Sequence, residues 1–267
     1  MAQAQVPLVY NTRFDTYPML THASGKAEQL PLWPSLLRAA EAWRIDARLD
    51  PNVTVITFNN GGAFEHSGKR LGLFEESLRR SRIQEITVLG GGVTTNWKNS
   101  LKIGLLLNHL DTGRVRDYVL VADSADVILT NDLRPLVELF KTFNCRAVFN
   151  GERKHWPADL PPFDEQVAAG EFFPCLNSGV WVADASFARE LAAHCAALSV
   201  DKHGKSDQVR YKMAYRHFYP QMRVDHRCVL FQNINRVEAD IVAVREQEAS
   251  PSGPLAWTKH LGRLFGR

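Results

Sequence analysis

Apolar and β-branched residues recur along the chain in short runs that alternate with longer segments of helical spacing. The runs that predict strands are Val53–Phe58, Glu85–Leu89, Tyr118–Leu129, Arg146–Phe149, Val180–Val182 and Val224–Ile234. The segments that predict helices are Leu30–Ala47, Gly68–Arg82, Trp97–His109, Asp132–Phe143 and Ala185–Leu198, with a further helix opening at Gly204–Gln208. Strands that alternate with helices predict an α/β domain, in which a mainly parallel sheet is covered by helices on both faces.

The pattern predicts a single domain over residues 1–250. Its first part, residues 1–50, includes an extended stretch, punctuated by Pro and Gly, that delivers His22 to a loop. Residues 150–180 are looser, and long loops with aromatic residues in a compact domain are often functional. Pro, Ser and Gly then make 248–254 typical of a flexible link, so residues 251–267 are expected to form a peripheral tail.

Composition and charge narrow the class of protein. With 267 residues, 45% of them hydrophobic and 23% charged, the chain can bury a sizeable core. A net charge of +3 without a dense Lys and Arg block argues against nucleic acid as a partner. No apolar run is long enough to be a transmembrane segment, and the first residues lack the order of a signal peptide. Four scattered cysteines predict free thiols and a cytoplasmic location.

Two carboxylates end the apolar run that begins at Tyr118. Asp123 and Asp126 follow a stretch of β-favouring residues, and a buried strand tolerates an ionised group badly without a partner or a metal. Their place is therefore just past the carboxyl end of the strand, where α/β sheets bind ligands and a divalent cation could meet the phosphates of a nucleotide. The alternative is an aspartate-rich turn with a purely structural role.

Two loops after predicted strands are further candidates for ligand binding. Thr57 and Asn59 follow the first strand of the domain, where a nucleoside would sit in this fold class. Gly90-Gly91-Gly92 lies between a strand and a helix, so backbone N–H groups and the helix N-terminus could meet an anion there. The triple glycine matches neither the P-loop nor the dinucleotide fingerprint, and alone it is a weak signal.

Six short blocks stand in an order that carries a resemblance. They are Gly90–Trp97, Val121–Ile128, Val148–Pro157, Leu176–Gly179, Ser206–Gln208 and Val224–Ile234. Together they resemble the glycosyltransferase domain of procollagen lysyl hydroxylases and its bacterial relatives, over about residues 53–235. The resemblance implies a GT-A-like, Rossmann-type fold that uses a nucleotide sugar and Mn²⁺.

The resemblance also implies a metal site, in which Asp123 and Asp126 hold the ion on the diphosphate of the donor. The third ligand of the family is a histidine in a segment that follows the Phe-Gln-Asn block. Here the best match to that segment, Asp15–Gly25, precedes the domain's first strand. We therefore hypothesise that the chain is circularly permuted relative to the family and that His22 is the ligand. The rival is His260, which stands in the expected order with a poorer local match.

The chain departs from the family at three places. The position between the two metal aspartates, often aromatic and able to stack on the uracil, is Ala125. A lysine common after the glycines is absent, with Thr94 and Thr95 nearby, and the aspartate run before the glutamine shrinks to Ser206-Asp207. These departures bear on the identity of the base and of the sugar more than on the reaction class.

Asp207 and Asn177 are the residues expected to act in catalysis. Asp207 would be a second carboxylate near the anomeric carbon of the donor, or alternatively an N-cap of the following helix. Asn177 and Ser178 could hydrogen-bond sugar hydroxyls or simply close a turn before a strand. Trp156 could be an apolar platform for a sugar face or pack under the long loop.

The remaining residues expected in the nucleotide or sugar site come from the matching blocks. They are Thr57, Asn59, Gly91, Trp97, Asp123, Ser124 and Gln208. Trp97 is equally expected as a core or cleft-wall residue. For Asp225 and Gln232, a buried structural network is as good an explanation as catalysis.

The sequence thus predicts a metal-dependent glycosyltransferase that transfers a hexose from UDP-glucose or UDP-galactose to an unidentified hydroxyl acceptor, with Mn²⁺ or Mg²⁺ as cofactor. The acceptor could be a glycan, a protein or a small molecule. A metal-dependent phosphohydrolase or nucleotidyltransferase that uses the same carboxylate pair is one alternative. An inactive module that binds a nucleotide sugar is another.

Overall fold

The computed structural model describes residues 7–42, 45–61, 71–93, 97–200, 202–238 and 240–245. The strands are β1 (Val9–Asn11), β2 (Leu20–His22), β3 (Val53–Phe58), β4 (Ile86–Leu89), β5 (Tyr118–Asp123), β6 (Val127–Leu129), β7 (Ala147–Glu152), β8 (Cys175–Asp184), β9 (Met222–Asp225), β10 (Phe231–Asn233) and β11 (Val242–Val244). The helices are α1 (Trp33–Ala42), α2 (Leu73–Arg80), α3 (Leu101–Leu110), α4 (Leu136–Lys141), α5 (Phe163–Val167), α6 (Ala185–Ala197) and α7 (Asp207–Phe218). The predicted tail 251–267 with His260, and Thr94 and Thr95, lie outside the described residues.

Six strands form the central sheet in the order β4-β3-β5-β8-β7-β9. Strand β3 runs parallel to β4 and β5, and β7 runs parallel to β9. Strand β8 is antiparallel to both of its neighbours, β5 and β7. Because three of the five pairings are parallel, the prediction of an α/β fold with a mainly parallel sheet is confirmed.

Successive residues of the central strands enter two cores on opposite faces of the sheet, as the period of a β-strand requires. Val55 and Leu120 pack into the first core, whereas Ile56, Val119 and Val121 pack into the second. Helices α1, α2 and α4 cover the first core, and helices α3, α6 and α7 cover the second. Burial on both faces explains why these strands are continuous apolar runs instead of alternating patterns.

Two small sheets hold the N-terminal segment against later parts of the chain. Strand β2 lies between β10, which is parallel to it, and β6, which is antiparallel. Strand β1 pairs antiparallel with β11, and Val9 stands opposite Val244 in the register. The N-terminal segment therefore has strand partners from the last part of the described chain.

The prediction of a looser segment over 150–180 is wrong at both ends. Strand β7 continues to Glu152, strand β8 begins at Cys175, and helix α5 lies between them. The Asn150-Gly151 pair, typical of a turn, is part of β7 because the backbone of Asp225 comes close to it. A Cβ on Gly151 would lie 2.7 Å from the carbonyl oxygen of Asp225, so glycine is required by a close approach of two strands.

The strand that begins at Tyr118 ends at the aspartates, as the two carboxylates predict, and a second strand follows them. Strand β5 ends at Asp123, and β6 joins the three-stranded sheet, where Val127 stands opposite His22. The turn that carries Asp123 and Asp126 therefore lies between the central sheet and the small sheet that contains β2. This division brings the N-terminal segment to the carboxyl end of β5.

Candidate active site

A cleft of about 1120 Å³ lies at the carboxyl ends of the central strands, where β5 ends in Asp123. Eight of the residues predicted for the site line it: His22, Asp123, Asp126, Trp156, Asn177, Ser178, Asp207 and Gln208. They come from five different parts of the chain, so the fold assembles them over long distances in sequence. Polar residues at this edge of an α/β sheet are where the fold class places its ligands.

The imidazole of His22 meets both aspartates of the β5–β6 turn. Its Nε2 atom lies 3.4 Å from Oδ2 of Asp126, and one atom each of His22, Asp123 and Asp126 lies within 4.8 Å of the others. Burial alone would lower the pKa of His22, but the carboxylates of Asp126 and Asp123 outweigh it and raise that pKa. The Nδ1 atom is buried and has no hydrogen-bond partner among the described residues. One imidazole and two carboxylates form a donor set that fits Mn²⁺ or Mg²⁺.

Gly179 fixes the position of the His22 ring. A Cβ on this glycine would lie 2.1 Å from Cε1 of His22, which is closer than two non-bonded carbon atoms can approach, so one of them would have to move. The Asn177-Ser178-Gly179 block therefore packs directly under the imidazole. Two segments that are far apart in sequence are thus in direct contact at the candidate metal ligands His22, Asp123 and Asp126, called the metal group below.

Lys102 is a central member of the site that the sequence reasoning missed. Its buried Nζ atom lies 2.6 Å from Oδ1 of Asp123 and 3.7 Å from Oδ2 of Asp207. Burial opposes the charge of the lysine, but the two carboxylates outweigh it and raise the pKa of Lys102. Burial also raises the pKa of Asp123, and the ammonium of Lys102 opposes that rise. The one signal for Lys102 was a lysine inside an apolar helical run, a position that is usually read as the solvent face.

Glu152 is a second missed residue, and it holds two amide side chains that line the cleft. Asn177 donates to Oε2 of Glu152 at 3.1 Å, and Gln208 donates to Oε1 at 2.8 Å. Burial raises the pKa of Glu152, while the ammonium of Lys212 and these two hydrogen bonds lower it. The backbone N–H of Gly179 donates to Oδ1 of Asn177 at 2.9 Å. Asn177 and Gln208 are thus held by one buried carboxylate.

Asp207 is the first residue of α7, and the N-cap position belongs to Ser206. The carboxylate of Asp207 is buried and lies near the ammonium of Lys102 instead of capping the helix. This arrangement does not support the N-cap alternative for Asp207. It places a second carboxylate in the cleft, connected through Lys102 to the metal group.

Trp156 lies in the loop after β7, where its side chain is 37% exposed. Its ring meets the ring of His203 edge to face, with the ring centroids 5.7 Å apart. His203 in turn lies 2.9 Å from Oδ1 of Asp159. An exposed indole in the cleft is available to a ligand, as expected for a platform under a sugar ring.

Five other predicted residues do not line the cleft: Thr57, Asn59, Gly91, Trp97 and Ser124. Asn59 and Ser124 both donate to the buried carboxylate of Glu75, at 3.0 Å and 2.8 Å. Thr57 is fully buried, and the Nε1 atom of Trp97 donates to Asn99 at 3.2 Å. A nucleotide role for these residues stays a prediction.

Asp225 and Gln232 belong to a buried structural network. The backbone N–H groups of Val229, Leu230 and Phe231 donate to the carboxylate of Asp225 at 2.9, 2.7 and 3.0 Å. Asn11 donates to Oε1 of Gln232 at 2.7 Å. Asp225 thus holds the turn between β9 and β10, and Gln232 connects β10, the strand next to β2, to Asn11 of β1.

A second group with metal-ligand atoms is formed by His155, Asp164 and Cys175. Asp164 already has two partners, since Oδ2 lies 3.0 Å from the buried ammonium of Lys212 and accepts the N–H of Leu176 at 2.7 Å. Burial raises the pKa of Cys175 to about 12, so its thiol stays protonated. The group around His22 is the better candidate for a metal ion because its carboxylates face an open cleft.

A family model described as "PLOD GT domain", the glycosyltransferase domain of procollagen lysyl hydroxylases, matches residues 68–253. The chain belongs to this family. The match covers more than half of the chain and includes both aspartates of the metal group. A glycosyltransferase domain of this family implies a nucleotide-sugar donor, an acceptor and a divalent metal ion.

A curated relative is the procollagen-lysine,2-oxoglutarate 5-dioxygenase of Drosophila melanogaster, which is 24% identical over 180 residues. The alignment covers 61% of this chain and 24% of the relative, so the chain spans about a quarter of that protein. A solved structure named as a glucose-1-phosphate thymidylyltransferase from Bacillus anthracis, in complex with a sucrose, is 12% identical. The alignment with this structure covers 68% of this chain and 87% of the other. Its TM-score of 0.38 is too low to carry an argument. Among the described helices, none is both long enough and apolar enough to cross a bilayer.

Proposed function

We propose that the chain transfers a hexose from UDP-glucose or UDP-galactose to a hydroxyl group of an acceptor, in a reaction that depends on Mn²⁺ or Mg²⁺. The observation that carries the proposal is the convergence of His22, Asp123 and Asp126 in a cleft of a PLOD-type glycosyltransferase domain. The cleft also contains Asp207 and Asn177, the residues predicted for catalysis.

Asp123, Asp126 and His22 would hold the metal ion. When bound, the ion neutralises the charge that builds on the leaving diphosphate. The protein contributes a preformed site, because Gly179 fixes the imidazole and the β5–β6 turn fixes the two carboxylates. Preformed ligands cost no reorganisation when the donor binds.

Lys102 holds Asp123 and Asp207 at a fixed separation. Without its ammonium, the two carboxylates would repel each other in a buried site. The carboxylate of Asp207 is thereby held beside the metal group, where it would interact with positive charge that develops at the anomeric carbon. On the other side, Glu152 orients the amides of Asn177 and Gln208 toward hydroxyl groups of the sugar.

The strand pairing supports the hypothesis of a circular permutation. Strand β2, which ends in His22, lies beside β10, which contains the Phe-Gln-Asn block that precedes the histidine segment in the family. The antiparallel pair β1 and β11 brings the N-terminal segment next to the last described strand. The family match ends at 253 and leaves the N-terminal segment outside. This segment would then occupy the place that relatives fill from the other end of the chain.

The four cysteines are free, as predicted for a protein of the reducing cytoplasm. We retain a cytoplasmic location as part of the proposal. It is consistent with a nucleotide-sugar donor, and a collagen acceptor is not implied.

The decisive experiment measures UDP release from UDP-glucose and UDP-galactose with Mn²⁺, with and without added acceptors. Release that grows with an acceptor supports transfer, whereas release of phosphate would support a phosphohydrolase. Saturable UDP binding without turnover would indicate an inactive module.

The His22→Ala variant should bind Mn²⁺ about 100-fold more weakly or worse, since even outer partners of metal ligands contribute 10- to 100-fold. The control is His194→Ala, on α6 outside the cleft. Unchanged Mn²⁺ affinity in His22→Ala would contradict the assignment.

A further inference from the structure

Three lysines line the outer part of the cleft on three separate loops. Lys98 precedes α3, Lys154 follows β7, and Lys205 precedes α7. Lys98 and Lys205 are exposed and Lys154 is half-buried. The first and third loops are joined, since the N–H of Ser100 donates to the carbonyl oxygen of Lys205 at 2.9 Å.

None of these three ammonium groups has an ion-pair or hydrogen-bond partner within the described part of the chain. The acidic groups deeper in the cleft are already engaged, since Asp123 and Asp207 both face Lys102. A neighbouring lysine, Lys202, behaves differently and lies 3.5 Å from Oδ2 of Asp159. Among the described residues that line the cleft, Lys98, Lys154 and Lys205 therefore carry positive charge that no ion pair neutralises.

The loops that carry the lysines also carry the exposed aromatic surface of the cleft. Trp156 stands two residues after Lys154, and His203, whose ring it meets, stands two residues before Lys205. The face of an indole packs well against the C–H groups of a pyranose ring. One part of the cleft thus combines a surface for a sugar ring with donors for an anion.

We propose that the acceptor is an anionic saccharide, whose carboxylate or phosphate group is bound by Lys98, Lys154 and Lys205 while its ring lies on Trp156. This inference rests on the proposed function. The lysines are on loops, whereas the metal ligands, which would meet the donor's diphosphate, are at strand ends. Charge-assisted hydrogen bonds from lysine are strong and position an anion, and a cluster of like charges also accelerates its encounter with the site.

The test compares acceptors that share a glucose-type ring and differ mainly in charge. Methyl β-glucopyranoside, its glucuronic acid counterpart and glucose 6-phosphate are supplied with UDP-glucose, UDP-galactose and Mn²⁺, and UDP release is followed. We expect a KM about tenfold lower for the two anionic sugars than for the neutral one. The preference should shrink as NaCl is raised, because exposed charges are screened.

The Lys154→Ala/Lys205→Ala double variant should abolish the preference for anionic acceptors, by raising their KM about tenfold. Lys202→Ala removes the same charge from the same loop but from outside the cleft, and it should retain the preference. A rise in the KM of the UDP-sugar as large as that of the acceptor would show that the lysines bind the donor, and would overturn the inference.

Calorimetry separates a failure of this inference from a failure of the proposed function. Glucose 6-phosphate is titrated into the full chain saturated with UDP and Mn²⁺, so that no turnover is needed. Lysine-dependent binding without UDP release in any assay would support the anion site while contradicting a transferase. UDP release that prefers the neutral glucoside, or a failure of glucose 6-phosphate to bind, would overturn the anion site and leave the transferase intact.

Discussion

Gly179 determines where His22 can lie, because the space that a side chain would fill at this position is taken by the imidazole. The sequence places these two residues more than 150 positions apart. This steric requirement is specific, since it concerns a Cβ atom at position 179 and the ring of His22. Replacing Gly179 is therefore the most direct test of whether the His22 ring is held in place for a ligand.

Gly179→Ala should displace the His22 ring and weaken Mn²⁺ binding about tenfold or more, because a ligand moved by an ångström no longer fits the group. Calorimetry with Mn²⁺ in the presence of UDP measures the effect. Gly104→Ala is the control, since a Cβ at Gly104 meets no atom within 4 Å. Equal Mn²⁺ affinities of the two variants would show that His22 does not bind the ion.

Lys102→Met should destabilise the metal-free protein by about 3 kcal/mol, since it leaves the buried carboxylate of Asp207 and the half-buried one of Asp123 without their cation. The same change should strengthen Mn²⁺ binding, because the lysine and the metal ion compete for Asp123. Urea unfolding with and without Mn²⁺ measures both effects. Lys212→Met, which removes the other buried lysine from Asp164, should destabilise the protein with no gain in Mn²⁺ affinity. A weaker Mn²⁺ affinity in Lys102→Met would contradict this account.

Some residues of the site could be found from the sequence, and others could not. Asp123 and Asp126 stand out because carboxylates directly after an apolar strand need compensation. Lys102 and Glu152 do not stand out, because their partners are distant in sequence and a single charge in a helix or loop is ordinary. Their roles depend on burial, which only the packed structure gives.

At the level of elements, the hydrophobic pattern predicted the central strands well because both faces of each are buried. It overextended the helices, since α1 begins at Trp33 and α4 at Leu136, after prolines and turns that share their apolar character. It also missed β11 and the early start of β8 at Cys175. Short strands of a few residues have no periodicity long enough to recognise, and their partners alone define them.

The pairing of β1 with β11 predicts that the chain can be rearranged. A variant that runs from residue 26 to 245, continues through a short Asn-Gly turn and ends with residues 7–25 should fold and bind UDP and Mn²⁺. The reason is that β11 and β1 are antiparallel neighbours, with the N–H of Arg245 donating to the carbonyl oxygen of Leu8 at 2.9 Å. Antiparallel neighbours need only a hairpin to connect them.

The rearranged chain is compared with one that ends at 245 in the original order, so that both lack the same final residues. Circular dichroism and calorimetry with Mn²⁺ report folding and binding. A rearranged chain that folds but loses Mn²⁺ affinity would contradict the permutation. His22→Ala in the rearranged chain should abolish Mn²⁺ binding.

For the whole molecule, buried carboxyl groups make stability depend on pH. The pKa of Glu152 is raised by burial, so the folded protein keeps this proton to a higher pH than the unfolded chain does. At pH values above the ordinary pKa of glutamic acid, the folded state therefore binds more protons than the unfolded state does. The free energy of unfolding then falls as the pH rises, until the pKa of Glu152 in the folded protein is passed.

Glu152→Gln removes this penalty, so the free energy of unfolding of the variant relative to that of the wild type should increase as the pH rises above the ordinary pKa of glutamic acid. Urea unfolding at several pH values measures it, with Glu28→Gln on the surface as the control. If the proton on Glu152 did not contribute to stability, the free energies of unfolding of the two variants would change with pH in the same way. Transfer activity of Glu152→Gln should fall at the same time, since Asn177 and Gln208 lose an ionic partner.

The position of β2 has a consequence for folding while the protein is being synthesised on the ribosome. His22 is the first of the three candidate metal ligands to be synthesised, but among the described strands its own strand has no neighbour until β6 and then β10 have emerged. Contacts between segments so distant in sequence form late in folding. An unfinished polypeptide that stops before Phe231 therefore contains His22 and both aspartates but lacks one of the two strands that flank β2. We expect the three side chains to be held firmly together only when nearly all of the described chain has been made.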